Sequence, residues 1–67
     1  MTLEELYTAH NRESATVDQL KRDIAVALID EPDNALAAIL ETSTRQMIAS
    51  LAIMRTTADE IDERNAE

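Results

Sequence analysis

The sequence predicts an all-α fold, an antiparallel helical hairpin, and three observations carry that reading. Apolar residues recur at helical steps over most of the chain: Val17, Leu20, Ile24 and Leu28, then Leu40, Met47, Met54 and Ile61. The one clear interruption is "DEPDN", residues 30 to 34, where Pro32 disfavours a helical Glu31 and the Asp and Asn residues suit caps and turns. The most apolar run, "QMIASLAIMR" (residues 46 to 55), is built from the helix formers Met, Ala and Leu. It is far short of the roughly 20 residues a membrane span needs. A short connection makes its flanking helices antiparallel neighbours, and 67 residues suffice for one domain, residues 1–67.

Taken in order, Thr2 followed by Glu5 fits a capping box, and "LEELYTAH" places Leu3, Leu6, Tyr7 and His10 at helical spacing. "NRESAT", residues 11 to 16, is polar, and Thr16 with Gln19 offers a second capping box. Leu3, His10, Val17 and Ile24 nevertheless keep one phase across it. One helix with a weak middle and two helices broken near residues 11–15 therefore fit equally. If the break exists, residues 1–13 pack only at the open end of the hairpin and are dispensable for folding. The second helix starts near Asp33. Its predicted seam is Leu36, Leu40, Met47, Leu51, Met54, Ala58 and Ile61, a coiled-coil-like stripe, and the acidic "TTADEIDERNAE" is expected to fray.

This stripe leaves apolar residues over. At about 100° per residue, Ile48 falls to one side of it, and Ile53 with Ile39 to the other. Val26 and Ile29 sit well off the Val17–Ile24 stripe of the first helix. Ser43, Ser50 and Thr57, spaced by sevens, lie toward the Ile39/Ile53 edge, where small side chains would admit another helix. The expected partner-facing set is therefore Val26, Ile29, Ile39, Ile48, Ser50, Ile53 and Thr57. A hairpin alone has no third layer to cover such residues, and leaving them wet forgoes about 1.5–3 kcal/mol for each large one.

Composition narrows the function classes. Fourteen acidic residues against six basic ones give a net charge of −8, which argues against nucleic acid and anionic membranes as partners. With no Cys, no Gly and one His, the chain offers no thiolate site and no glycine-rich phosphate loop, and no cofactor is expected. His10 falls on the seam and reads as structural. Asp30 and Glu41 have the spacing of the first and twelfth positions of a calcium loop, but Pro32 and Ala35 stand where that loop needs a ligand and a glycine. No enzyme activity is expected. "MTLEELYTAHNRE" has neither a basic n-region nor an apolar h-region, so the expected location is the cytoplasm.

The opening "MTLEEL", a polar break, a short turn and a long second helix ending in "SLAIMRTTADEID" resemble the small co-chaperones of bacterial type III secretion needle subunits, the YscE/PscE/EscE kind. The resemblance covers nearly the whole chain in length and layout. It implies a helical hairpin that docks on a partner with tetratricopeptide-like repeats, the pair keeping the needle subunit soluble and monomeric before export. The competing expectation is a self-associating homo-oligomer, a small regulator or inhibitor of phage type or a DNA mimic.

Overall fold

The capping box at Thr2 forms: the Thr2 amide donates to Glu5 Oε1 at 3.1 Å, and the Glu5 amide donates to Thr2 Oγ1 at 3.1 Å. It opens α1, Leu3–Asp30, in the computed structural model, which describes residues 1–66. Glu31 and Pro32 are both extended, with ψ of 141° and 158°, and α2 follows as Asp33–Asn65. The fold is thus an all-α hairpin of 28 and 33 residues. Its long axis of 52 Å matches the ~50 Å expected of α2 at about 1.5 Å per residue.

The connection is two residues, shorter than "DEPDN" suggested, because Asp30 and Asp33 each belong to a helix. Pro32 holds the N-cap position of α2 without a side-chain hydrogen bond, so this helix begins on backbone geometry alone. The Glu31 amide donates back to the Ala27 carbonyl at 3.0 Å and closes α1.

Residues 11–15 form no break. With no Gly or Pro to interrupt it, "NRESAT" continues the helix, and the phase shared by His10 and Val17 keeps both on the inner side. Thr16 does not cap: its hydroxyl donates to the Arg12 carbonyl one turn back, at 3.1 Å, as Thr does inside a helix. Surface pairs support the polar stretch after it. Gln19 Nε2 donates to Asp23 Oδ1 at 2.8 Å, and Arg22 Nη2 donates to Gln19 Oε1 at 3.0 Å. At the other end, α2 stays helical through the acidic tail to Asn65, with Ile61 buried.

The inner stripe of α1 is a strict three-four alternation: Leu3, Leu6, His10, Glu13, Val17, Leu20, Ile24 and Ala27, every one buried or half-buried. That of α2 is Leu36, Leu40, Ser43, Met47, Ser50, Met54, Thr57 and Ile61. The expected stripe needs correcting in three places. Ala27 takes the seam instead of Leu28, Ser50 instead of Leu51, and Thr57 instead of Ala58. In each pair the seam residue is the one that keeps the seven-residue phase. Small side chains at these positions let the two backbones approach closely, and the larger Leu28 and Leu51 turn outward.

Candidate interaction surface

Because Ser50 and Thr57 are 6% and 7% exposed, they cannot present themselves to another protein. In a hairpin of two helices the only neighbour able to cover them is α1. Their assignment to a partner-facing set is therefore corrected: they are seam residues.

Thr57 also sets the register. Its hydroxyl oxygen lies 3.0 Å from His10 Nδ1, across the seam. The same hydroxyl is 3.0 Å from the carbonyls of both Ile53 and Met54. A hydroxyl has one hydrogen to give, and the carbonyls of its own helix are within reach of it. The oxygen can then accept from His10 when Nδ1 carries the ring proton, and donates to Nδ1 in the other tautomer. This bond gives the half-buried His10 a partner across the seam, in keeping with the expected structural reading of His10. Stepping seven residues along each helix from this pair places Val17 level with Ser50 and Ile24 level with Ser43. Val17 and Ile24, the β-branched residues of the α1 seam, thus each meet a serine.

The remaining five of the expected surface residues do reach the outside, with Ile29 the most exposed at 84%. Val26, Ile48 and Ile53 are exposed, and Ile39 is half-buried. Leu28, Leu51 and Tyr7 join them, although apolar spacing had turned both leucines inward. The signal that would have found them is the seven-residue phase of His10, Ser43, Ser50 and Thr57, followed through the polar residues rather than only the apolar ones.

These residues divide between two flanks of the seam. Residues that directly follow Ala27, Ser50 and their heptad mates emerge on one side, which therefore carries Leu28 and Leu51, with Ile48 just beyond. The other side carries Ile39 and Ile53, with Val26 beyond them on α1. Two shallow hollows lie along this second flank. One, of about 300 Å³, is lined by Met1, Leu6, Ala52, Ile53, Thr56, Thr57 and Glu60. The other, of about 280 Å³, is lined by Ala38, Ile39, Thr42 and Ser43. Both walls are mainly apolar.

Ionic interactions add little to either flank. The ion pair among the described residues, Arg45 Nη2 to Glu41 Oε1 at 2.6 Å, is a solvent-exposed one-turn contact worth a few tenths of a kcal/mol (about 0.3–0.5). Glu5 is the carboxyl held below its ordinary range, chiefly because the Thr2 amide and then the Thr2 hydroxyl pair with it. No helix is long and apolar enough to cross a membrane among the described residues. Comparison with family models, curated proteins and solved structures finds no match to the chain.

Proposed function

We propose that this chain is a non-enzymatic protein-binding module whose second flank, Ile39, Ile53 and Val26, docks on a helical partner. One observation carries the proposal: the hairpin exposes more surface than its mass should. A compact monomer of 7.5 kDa is expected to expose ~4,250 Å², and the chain exposes 4893 Å². The excess, on the order of 600 Å², is close to one side of an ordinary protein interface at about 800 Å². Several large apolar side chains, Val26, Ile29, Ile48 and Ile53 among them, are exposed, and a chain with so small a core gains from covering them.

The most specific form of this reading follows the family resemblance: a cytoplasmic co-chaperone that helps keep a type III secretion needle subunit soluble and monomeric before export. Its partners would be a tetratricopeptide-like chaperone subunit and the needle subunit itself. The acidic surface, uniform helicity and exposed apolar flank support a docking role of this kind.

The test is co-expression of the chain with a repeat chaperone and a needle subunit encoded in the same genome. Soluble needle subunit should appear only when all three are present, and Ile53→Asp should abolish it while helicity by circular dichroism is unchanged. Failure of the chain to co-purify with either protein would remove the secretion reading.

A further inference from the structure

Along α2 the sequence repeats itself. "AILETS", residues 38 to 43, returns as "AIMRTT", residues 52 to 57, fourteen positions on. The repeat is also structural. Ala38, Ile39, Thr42 and Ser43 line the smaller hollow of the second flank, and the residues fourteen positions on from each of them line the larger. Fourteen residues are two heptads, so the two hollows lie ~21 Å apart on one face of the helix. The heptad between them carries Arg45 and Gln46 in the places of Ala and Ile, where an apolar side chain finds no matching wall.

A helix laid along α2 returns a side chain to this face every seven residues, and so meets both hollows with two side chains fourteen apart. An extended segment does not suit the surface. The backbone groups of α2 are spent on its own helix, and those of the segment would lie against it without partners. Charge then selects among helices. Residues 42–58 contain no acidic residue, whereas Asp30, Glu31 and Asp33 flank one hollow and Glu60 and Glu63 the other, each within ~15 Å of it along the axis. A second copy offers Ile39 and Ile53 at the right spacing when its α2 runs antiparallel. That register, however, brings the acidic turn of each copy level with Glu60 to Glu63 of the other, like charge against like at both ends.

We infer that the occupant of the second flank is one amphipathic helix of another protein, recognised by spacing and by charge. It carries two large apolar side chains fourteen residues apart, a polar one midway between them, and Lys or Arg one to two turns outside each. The inference rests on the docking role proposed above and specifies the element that docks. It needs neither a secretion chaperone nor a second copy of the chain.

Three synthetic Ala-rich peptides of about 28 residues, helical in isolation, are the probes. The first has leucines fourteen apart, Gln midway and Arg outside each leucine. The second has the same composition with the leucines twelve apart, which turns one of them away by ~200°. The third is the first with Glu in place of Arg. Titrated into the full-length chain and followed by NMR, the first should bind at or below ~100 μM, with the largest shifts around Ile39 and Ile53. The other two should bind at least about tenfold more weakly. Ala52→Leu, which fills a hollow and adds no charge, should weaken binding of the first peptide as Ile53→Asp does, while Leu51→Asp on the first flank leaves it unchanged. Circular dichroism checks the helicity of each variant. No binding of the first peptide, equal binding of all three, or dimers of the chain alone that Ile53→Asp abolishes would each overturn the inference. The docking role is judged separately by the co-expression test: a chaperone lost on Ile53→Asp would keep the second flank as a docking surface even where the peptides fail.

Discussion

The two ends of the hairpin are held by different means. At the open end, large side chains close the seam: Leu6 is fully buried, Ile61 is buried, and His10 bonds across to Thr57. Toward the turn the buried residues are small, Ala27 and Ser43, Leu36 and Leu40 are only half-buried, and Val26, Leu28 and Ile29 are outside. The chain itself supplies the reason. Near the turn the helices are joined covalently, so little burial is needed to keep them together. Far from it nothing but side-chain packing holds them, and the closure entropy must be offset by buried area. The difference teaches where this protein can spare apolar surface: the tethered end and the middle, where the exposed leucines and isoleucines lie.

The largest expected effect tests this contrast directly. Leu6→Ala at the open end should cost about 2–5 kcal/mol, because it empties a site with 0% exposure. A single core in so short a chain rarely supplies more than ~3–5 kcal/mol, so the variant should be mostly unfolded. Leu28→Ala at the turn end should shift stability by no more than about 0.5 kcal/mol. Thermal melts followed by circular dichroism, at concentrations low enough to keep the chain monomeric, measure both. Equal losses would mean that the two ends are closed alike. The same reasoning reverses the expectation that residues 1–13 are dispensable, since Leu6 and His10 both belong to the seam.

The middle of the molecule sharpens the comparison. Ser50 is 6% exposed and level with Val17, so α1 covers it across the seam. Ser50→Leu adds volume where none is free and should cost about 1–3 kcal/mol, while Ser50→Ala should be nearly neutral. Urea unfolding of the two variants separates these outcomes. If Ser50→Leu stabilised the chain, the seam would turn Leu51 inward and the open flank would vanish with it.

Much of this was legible in the sequence. The hairpin followed from Pro32 and from helical spacing on both sides of it, since a proline boundary and a sustained period are strong local signals. Five of the seven expected surface residues are outward or half-outward for the same reason: Ile48 and Ile53 lie far from any stripe through Met47 and Met54. The error was one of rotation. Ranking residues by apolarity draws Leu51 inward past Ser50, yet a buried hydroxyl can satisfy itself on its own helix, as Thr57 does through Ile53, and costs little. Close approach of two backbones rewards small side chains, and no hydropathy pattern contains that term. The continuity of α1 was underestimated for a related reason: "NRESAT" has weak propensity alone, but the opposite helix holds it in phase.

The smallest expected effect lies at the two helix starts, one capped and one bare. Thr2 and Glu5 pair reciprocally at the start of α1, whereas Pro32 offers α2 no side-chain cap. The hydrogen bonds from Thr2 hold Glu5 below the ordinary carboxylate range. A carboxyl depressed by folding contributes stability that is present above its unfolded-state pKa and is lost as pH falls through the lower folded value. Glu5→Gln keeps an acceptor for the Thr2 amide but removes the titrating charge. At about pH 7 the native chain should therefore be slightly more stable than the variant, and the gap should narrow as pH falls below the ordinary carboxylate range and Glu5 takes up its proton. Taking the difference between two chains matters, because acid also neutralises the many carboxylates at both tips and relieves their repulsion. That relief is common to the native chain and the variant and cancels. A gap that stays constant with pH would show that the carboxylate charge adds nothing to the cap, and that the open end is secured by Leu6 and its neighbours alone.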